Sequence, residues 1–404
     1  MQTGARYQAI LEILTEVFKD KTPADKIIND YMRQKKYIGS KDRRFISDMV
    51  WHIIRNRQKL VFDAGSSDAR KILLYANKDK LTEIFDDSKY GLPPLSEDEK
   101  NWLSQENEEI YPDYVEAECP QWLFLKIKDI NFCKALNQTA TTDIRAHNIT
   151  RNELQQKLKS EGIETTIGAY SPHCLKISSR LVLNNCMAWQ DGLFEVQDEA
   201  SQIASILIDA LPSHKIIDYC CGAGGKSLAL SDELKNQGEI LAYDIDPKRL
   251  ENIKPRIQRL KVKNISLTDI IADSDKDYDR FILDAPCSGT GTWRRSPDAK
   301  FRLTKEKLYG LTQIQSDLLN IASQKTVKGG RIIYITCSIL KDENEDIIEK
   351  FLKENENFAP INLKELWSRK IGTPYPHTQE KYLRMSPYTT STDGFFVCIL
   401  ERLY

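Results

Sequence analysis

The sequence has little of what marks membrane, secreted or zinc-binding chains. No apolar run approaches the ~20 residues that a membrane-spanning helix needs, and the first residues have the period of an amphipathic helix rather than the layout of a signal peptide. Only five histidines are present, and no two cysteines have C-x-x-C spacing, which argues against a structural zinc site. The nine cysteines do not form a disulfide framework in a chain of 404 residues. We therefore expect a cytoplasmic monomer without a metal, in which most cysteines are buried hydrophobes.

The chain also lacks an excess of charge of either sign, since its formal net charge is −1. The charges are unevenly distributed, however. Residues 1–62 carry 7 Lys and 6 Arg against 5 Asp and 2 Glu, whereas residues 86–118 carry 11 acids against two lysines. A basic module followed by an acidic segment is compatible with nucleic-acid contact at the first, and equally with a solvated helical surface.

The periodicity of apolar residues divides the chain into four parts. Residues 1–62 have the spacing of amphipathic helices, and residues 63–119 are interpreted as an acidic helical connector. Residues 120–190 alternate between strand and helix patterns, which predicts a small α/β subdomain whose first strand carries Arg145, a candidate phosphate contact or a surface arginine. From 191 to 404, short apolar runs alternate with helical stretches, which is typical of an α/β fold with a doubly wound parallel sheet. The last run, FFVCILE, is expected at an edge of that sheet.

A glycine-rich turn follows the first strand of this sheet, at residues 218–227. A P-loop would need glycine at position 220, and a dinucleotide fingerprint would need glycine at position 227, so each pattern fails by one residue. An acid, small residues and then a helix suit the turn that binds S-adenosylmethionine. Asp244 ends the second strand, where an acid binds the ribose diol of adenosine-containing ligands. This pair indicates a nucleoside-bearing cofactor without separating NAD from S-adenosylmethionine.

Two cysteines follow neighbouring strands of the predicted sheet. Cys287 lies in DAPCSGTG and Cys337 in ITCS, so both are expected in one pocket beyond the carboxyl ends of the strands. Methylation of cytosine at carbon 5 needs such a thiol, because that carbon is a poor nucleophile until a thiolate adds to carbon 6. Enzymes that methylate exocyclic amines need no thiol.

Several motifs together resemble the Nop/Sun family of RNA cytosine-5 methyltransferases. They are VQDEASQ (196–202), DAPCSGTG with RR-x-PD, TCS and DGFF (393–396), which recur in that order over residues 190–404. The N-terminal helices are similar to the NusB-like RNA-binding domain of the bacterial 16S rRNA member, and the small subdomain to the family's RRM-like insert. The resemblance implies a class I, Rossmann-like methyltransferase that uses S-adenosylmethionine to make 5-methylcytosine in RNA.

The resemblance also assigns roles to residues of this chain. Cys337 is implied to be the nucleophile, and Cys287 to assist release of the methylated RNA. The implied cofactor contacts are Cys220, Cys221, Gly222, Ala223, Gly224, Gly225, Lys226, Asp244, Asp269 and Asp284. Asp284 is also a candidate to hold nitrogen 3 of the cytosine. The family's turn usually reads Cys-Ala-Ala-Pro-Gly-Gly-Lys, so this chain lacks the proline and gains Gly222.

A basic run beside the catalytic motif is the candidate RNA contact. Arg294, Arg295, Lys300 and Arg302 surround Trp293, and cations with an interleaved aromatic suit an RNA backbone and a splayed base. The substrate is predicted to be RNA, with rRNA favoured over tRNA. A catalytically silent RNA-binding assembly factor is the alternative from another functional class, since the altered turn leaves it open.

Overall fold

The computed structural model describes residues 1–85, 89–105, 110–179, 181–268 and 278–404. Its contacts divide the chain into a helical unit, Met1–Gln138 with Thr292–Thr304, and an α/β unit, Thr139–Gly291 with Lys305–Tyr404. In the described residues, no helix combines the length and the apolar character needed to cross a membrane.

The helical unit contains ten helices of the N-terminal segment in the described ranges. They are α1 (Thr3–Val17), α2 (Ala24–Gln34), α3 (Ser40–Arg55), α4 (Arg57–Ala64), α5 (Ala69–Tyr75), α6 (Leu81–Ile84), α7 (Glu97–Leu103), α8 (Asp113–Glu116), α9 (Gln121–Ile127) and α10 (Ile130–Asn137). One core joins Ile10, Ile46 and Ile53 to Ile72 and Leu92. The predicted boundary at residue 62 is therefore wrong, because the following segment completes the same core. The end of the unit at 138 also moves the predicted boundary at 119.

A small antiparallel sheet opens the α/β unit. Its elements are β1 (Thr142–Ala146), α11 (Arg151–Ser160), β2 (Thr166–Ile167), β3 (Cys174–Ile177), α12 (Met187–Gln190) and β4 (Phe194–Val196). The strand order is β2-β3-β1-β4, with helices after β1 and β3, as in ferredoxin-like folds. Thr150 and Glu153 form the capping box that begins α11. The small α/β subdomain predicted from the sequence is present and begins at β1.

The remaining elements build the large sheet and its helices. They are α13 (Glu199–Ile206), β5 (Lys215–Asp218), α14 (Gly225–Glu233), β6 (Glu239–Tyr243), α15 (Pro247–Glu251), α16 (Lys254–Leu260), β7 (Ile265–Thr268), β8 (Tyr278–Asp284), α17 (Ala299–Arg302), α18 (Lys305–Lys325), β9 (Thr326–Thr336), α19 (Glu345–Glu354), β10 (Phe358–Pro360), α20 (Leu363–Lys370), β11 (Tyr382–Met385) and β12 (Phe395–Arg402). Of these, α17 belongs to the helical unit.

The large sheet has the order β10-β12-β9-β8-β5-β6-β7 in the described residues, and β11 also pairs with β12. Strands β5 to β9 are mutually parallel, whereas β12 is antiparallel to β9. The predicted doubly wound α/β fold is confirmed. The expectation that FFVCILE lies at an edge is wrong, because β10 and β11 pair with its far side.

Candidate active site

The carboxyl ends of four parallel strands meet at one edge of the large sheet. Asp218, the last residue of β5, is paired with Ala242 of β6 and Ile282 of β8. Asp284, the last residue of β8, is paired with Ile335 of β9. The segments that follow these strands therefore lie side by side, as the sequence predicts for a ligand site in an open α/β sheet.

A cavity of about 810 Å³ opens at this edge. Eight of the predicted cofactor residues line it: Cys220, Cys221, Gly222, Ala223, Gly225, Lys226, Asp244 and Asp284. Cys287 and Cys337 line it as well. The remaining lining residues are Val196, Gln197, Asp198, Ser201, Tyr219, Tyr243, Ile245, Arg249, Arg256, Ala285, Pro286, Ile314, Leu318 and Ile321. Asp269 lies outside the described residues, so its predicted role stays a prediction.

The glycine-rich turn joins β5 to α14 through two left-handed residues. Gly222 has a φ of +56° and Gly224 a φ of +78°, and α14 begins at the next residue, Gly225. A Cβ atom on Gly224 would lie 1.9 Å from Cδ1 of the buried Ile253. Gly224 itself is absent from the cavity lining, so its part in the site is to let the turn pack on Ile253. The turn thus needs glycine at this point for backbone and steric reasons together.

Asp244 follows β6 at the wall of the cavity and holds the turn. Its Oδ2 accepts a hydrogen bond of 2.8 Å from Gly222 N–H and faces an Arg249 guanidinium nitrogen at 3.3 Å. Its Oδ1 accepts from Asp246 N–H at 3.0 Å. Because an ionised carboxylate has about four acceptor positions, Asp244 can accept further bonds from a ligand in the cavity.

Asp218 is enclosed beneath the same turn. Its side chain is 1% exposed, and one oxygen accepts a 2.6 Å hydrogen bond from the Ser227 hydroxyl. Burial raises the pKa of Asp218 to about 7, and the nearby carboxylates of Asp284 and Asp244 act in the same direction. The other oxygen, Oδ1, has no hydrogen-bond partner among the described protein atoms. A protonated Asp218 avoids leaving a buried charge there.

Lys226 and Asp284 both line the cavity and form an ion pair with each other. The Lys226 ammonium lies 2.6 Å from Asp284 Oδ2 and 5.4 Å from the centroid of the Phe395 ring. Lys226 is almost fully enclosed, whereas the side chain of Asp284 is 35% exposed. The ion pair with Lys226 therefore holds the Asp284 carboxylate in place, and the exposed part of that carboxylate faces the cavity.

The two thiols singled out by the sequence are in contact. Cys287 Sγ and Cys337 Sγ are 3.4 Å apart, within hydrogen-bond distance for sulfur, and both face the cavity. The hydrogen bond to Cys337 and burial raise the pKa of Cys287 well above its usual range. Cys287 thus keeps its proton at neutral pH and can donate it toward the Cys337 sulfur. The prediction that both thiols share one pocket is confirmed.

The cavity also contains two further thiols of different character. Burial is the main cause that raises the pKa of Cys220 and of Cys221, and Asp218 adds to it. Both therefore remain neutral thiols. In the described residues, no hydrogen bond joins either of them to another thiol, in contrast to the pair Cys287 and Cys337, so we assign them to the wall and not to the chemistry.

Sequence reasoning missed several cavity residues for which a signal existed. Ile245 directly follows Asp244 and is 87% exposed, which is unusual for an isoleucine. Ile314, Leu318 and Ile321 repeat at helical spacing along α18 and form an apolar wall. Together they offer an apolar surface beside Asp244. That combination suits a flat heterocycle such as a purine base.

The VQDEASQ segment supports the cavity from the small sheet. Asp198 lines the cavity and accepts from Asp393 N–H at 3.1 Å, which ties it to the DGFF segment. Glu199 is fully buried and accepts from Tyr170 N–H at 2.7 Å. Its second oxygen lies 2.9 Å from the Lys176 ammonium. These bonds explain why two carboxylates, Asp198 and Glu199, follow one another at this point.

Arg145 is a structural residue of the α/β unit. Its side chain is 3% exposed, one guanidinium nitrogen lies 2.6 Å from Asp232 Oδ2, and Nε donates to Gln197 at 2.9 Å. The expectation of a phosphate contact or a surface arginine is wrong on both counts, because the guanidinium joins the small sheet to α14.

The predicted basic run is largely interior to the helical unit. Lys300 is 1% exposed and donates to Asn137 at 2.9 Å, and Arg294 is 8% exposed. Arg302 pairs with Asp298 at 2.9 Å. Lys300 and Arg294 are therefore buried, contrary to the exposure that the predicted RNA contact requires, and Lys300 contacts the end of α10. Arg295 is exposed, and its contact with RNA stays a prediction.

Comparisons with known proteins agree on the α/β unit. Residues 205–401 match the family model described as 16S rRNA methyltransferase RsmB/F. A probable ribosomal RNA small subunit methyltransferase B from Synechocystis sp. is 27% identical over 99% of this chain and 99% of its own length. For two other curated relatives, from Bacillus subtilis and Pseudomonas syringae, the alignment covers 67% and 57% of the relative.

Two solved structures have the same fold. The crystal structure of PH0851 superposes with a TM-score of 0.75 at 24% identity, covering 99% of each chain. The crystal structure of NSun6 from Pyrococcus horikoshii with SFG superposes with a TM-score of 0.63 at 19% identity, covering 70% of this chain and 97% of that one. The predicted Rossmann-like sheet and helical N-terminal region are thereby confirmed.

Proposed function

Since this chain carries a methyltransferase domain of the RsmB/F (Nop/Sun) family, we propose that it transfers a methyl group from S-adenosylmethionine to carbon 5 of a cytosine in small-subunit rRNA. The observation that carries the proposal is the pair of thiols 3.4 Å apart at the carboxyl ends of β8 and β9. Enzymes that methylate the exocyclic amines of RNA bases need no nucleophilic thiol. The names of the relatives favour rRNA over tRNA as the substrate.

The residues of the cavity fit S-adenosylmethionine. A volume of about 810 Å³ accommodates a ligand of this size. Asp244 is placed to accept from the ribose hydroxyls, and Ile245 with the α18 wall to cover the adenine. The left-handed turn brings the backbone of Gly222 and Gly225 to the cavity without side chains in the way. In the NSun6 structure the same fold binds an S-adenosylmethionine analogue, SFG.

In the proposed reaction, the thiolate of Cys337 adds to carbon 6 of the cytosine and turns the ring into an enamine at carbon 5. During this addition, one proton lies between nitrogen 3 of the base and the Asp284 carboxylate that Lys226 fixes, and it offsets the negative charge that the thiolate brings to the ring. S-adenosylmethionine bound in the cavity would supply an electrophilic methyl group, to which carbon 5 of the enamine forms its new bond while the sulfonium sulfur keeps the bonding electron pair. Removal of the proton from carbon 5 and expulsion of the Cys337 thiolate then restore the aromatic ring.

Cys287 is assigned to the last step. Its raised pKa leaves it protonated beside the leaving sulfur, so it can donate a hydrogen bond to the departing thiolate of Cys337. Cys337→Ala should abolish methylation and the covalent complex with RNA. Cys287→Ala should form the adduct but release it slowly, and so accumulate an RNA-linked protein band that resists denaturant. The double variant should show no band.

Bisulfite mapping of total RNA from cells with and without this protein tests the substrate. We expect one cytosine of small-subunit rRNA to lose its protection on deletion and to regain it with the wild-type chain but not with Cys337→Ala. A lost signal in tRNA would move the substrate to tRNA. If the RNA-linked band appears with Cys337→Ala and vanishes with Cys287→Ala, the two thiols have exchanged roles. Unchanged maps would favour a silent RNA-binding factor.

A further inference from the structure

A buried carboxylate connects the two loops that carry the reactive thiols. Glu343 lies in the turn before α19, and its side chain is 0% exposed. The backbone N–H of Ser288 donates to Glu343 Oε1 at 2.8 Å, and the hydroxyl of Ser288 donates to Oε2 at 2.5 Å. The hydroxyl of Ser338 donates to the same Oε2 at 2.5 Å. Ser288 directly follows Cys287 and Ser338 directly follows Cys337.

A third element is held by the same carboxylate. The side-chain amide of Gln315, on α18, donates to Glu343 Oε1 at 3.1 Å and to the carbonyl of Pro286 at 2.8 Å. Pro286 directly precedes Cys287. The loop of Cys287 is thus bound to Glu343 on both sides of the cysteine, once directly and once through Gln315.

Burying a carboxylate costs free energy unless hydrogen bonds replace its hydration. Hydroxyl, amide and backbone N–H donors serve that purpose for Glu343, and each of the residues that supply them is adjacent to a reactive cysteine or contacts its loop. A carboxylate is suited to this place because its two oxygens accept several bonds at once. An apolar residue of the same size would fill the space without joining the loops.

We propose that Glu343 is a positioning residue that fixes the contact distance between the Cys287 and Cys337 thiols. This inference rests on the proposed function for its catalytic meaning, but the 3.4 Å sulfur–sulfur contact that it explains does not. A displacement of about 1 Å at a reacting group can cost on the order of 100-fold in rate. Nucleophilic attack by one thiol and assistance by the other depend on the same spacing.

The neighbouring carboxylate provides a matched control. Glu345 is also buried, begins α19, and pairs with Arg384 of β11. Arg384 donates to the carbonyl of Ile339, but in the described residues no hydrogen bond joins the Glu345 carboxylate itself to the residues beside the two thiols. The comparison therefore uses Glu343→Ala, the conservative Glu343→Gln, and Glu345→Ala, each as the full chain. Ser338→Ala is a second variant for the same contact, and it keeps the buried carboxylate in case Glu343→Ala fails to fold.

The first measurement is independent of methyltransferase activity. Diamide takes two hydrogen atoms from a pair of thiols and leaves a disulfide, and the rate depends on how readily the sulfurs approach the ~2.05 Å of an S–S bond. Mass spectrometry of peptides then gives the rate for Cys287 with Cys337. We expect roughly a tenfold slower rate in Glu343→Ala, a smaller loss in Glu343→Gln and Ser338→Ala, and the wild-type rate in Glu345→Ala.

The second measurement is the single-turnover rate of methyl transfer to rRNA, together with the affinity for S-adenosylhomocysteine. Glu343→Ala should lose at least roughly tenfold in rate with unchanged affinity, and Glu343→Gln should recover part of it. A wild-type disulfide rate in both Glu343→Ala and Ser338→Ala overturns the proposal. So does a normal transfer rate when disulfide formation is slow. If the wild-type chain methylates no RNA, the proposed function fails, and the diamide result alone decides whether Glu343 sets the spacing.

Discussion

Replacing Gly224 by alanine should disrupt the turn beneath the cofactor cavity. Gly224 has a φ of +78°, and the new Cβ would lie 1.9 Å from Cδ1 and 2.3 Å from Cγ1 of Ile253, which is fully buried. The left-handed backbone costs an alanine about 1–2 kcal/mol. Displacing a packed core side chain costs a further ~1–3 kcal/mol. The free energy of unfolding should therefore fall by about 2–5 kcal/mol.

Substitutions at Gly222 and Gly225, in the same turn, distinguish the free-energy cost of a left-handed backbone from the cost of a steric clash. A Cβ on Gly222, with a φ of +56°, would come within 2.9 Å of a terminal guanidinium nitrogen of Arg249, whose side chain is 55% exposed and can move. Only the strain of about 1–2 kcal/mol should remain. Gly225 has space around its Cβ position and begins α14, so Gly225→Ala should stabilise the folded chain by about 0.4–1 kcal/mol.

Urea unfolding of the three variants measures this order, and calorimetric titration with S-adenosylhomocysteine measures binding. Gly225→Ala should be slightly more stable than the wild type but bind more weakly, because Gly225 lines the cavity and a methyl group there takes up ligand space. Gly224→Ala should lose stability first. If Gly224→Ala is as stable as Gly222→Ala, the contact with Ile253 does not constrain the turn and the steric argument is refuted.

Two carboxylates of the same site give further tests. Asp244→Ala should weaken binding of S-adenosylmethionine by about 1.5–3 kcal/mol in calorimetry, and an unchanged affinity in a folded variant would remove Asp244 from the ribose site. Burial raises the pKa of Asp218 to about 7, so the folded chain holds a proton that the unfolded chain has released. Stability should therefore fall as the pH rises from 5 to 7, by up to ~1.4 kcal/mol per pH unit from this group. Glu118, whose pKa burial also raises to about 7, contributes with the same sign, so Asp218→Asn should reduce the slope of urea stability against pH; an unchanged slope would contradict the assignment.

The edge of the α/β unit that carries the candidate site could be predicted because parallel strands convert sequence order into spatial order. Every strand of β5, β6, β8 and β9 ends at the same edge, so a residue just beyond a strand end is placed by the strand pattern alone. Cys287 and Cys337 are 50 residues apart in the chain and 3.4 Å apart in space for this reason. No contact between side chains had to be foreseen.

The basic run at residues 294–302 shows where the same reasoning stops. A prediction from sequence treats every lysine and arginine as a surface charge, because the sequence does not show which tertiary contacts a loop makes. Lys300 is enclosed beside Asn137, and burial lowers its pKa to about 8. The apolar stem of Lys300 packs in the interior, and Asn137 accepts a hydrogen bond from its ammonium group, so the free-energy cost of burying the charge is reduced. Neither property distinguishes Lys300 from an exposed lysine in the sequence.

Lys300 and Glu343 are both buried charged side chains, but their contacts predict different effects of substitution. Both side chains are enclosed, and both depend on partners remote in the sequence. The contacts of Lys300 lie within the helical unit and join Ala299–Arg302 to the end of α10, so its removal should act on stability. The Glu343 carboxylate accepts from Ser288 and Ser338, which directly follow Cys287 and Cys337, and from Gln315 of α18. We therefore expect its removal to act on the spacing of the two thiols, and only the structure identifies the donors that connect them.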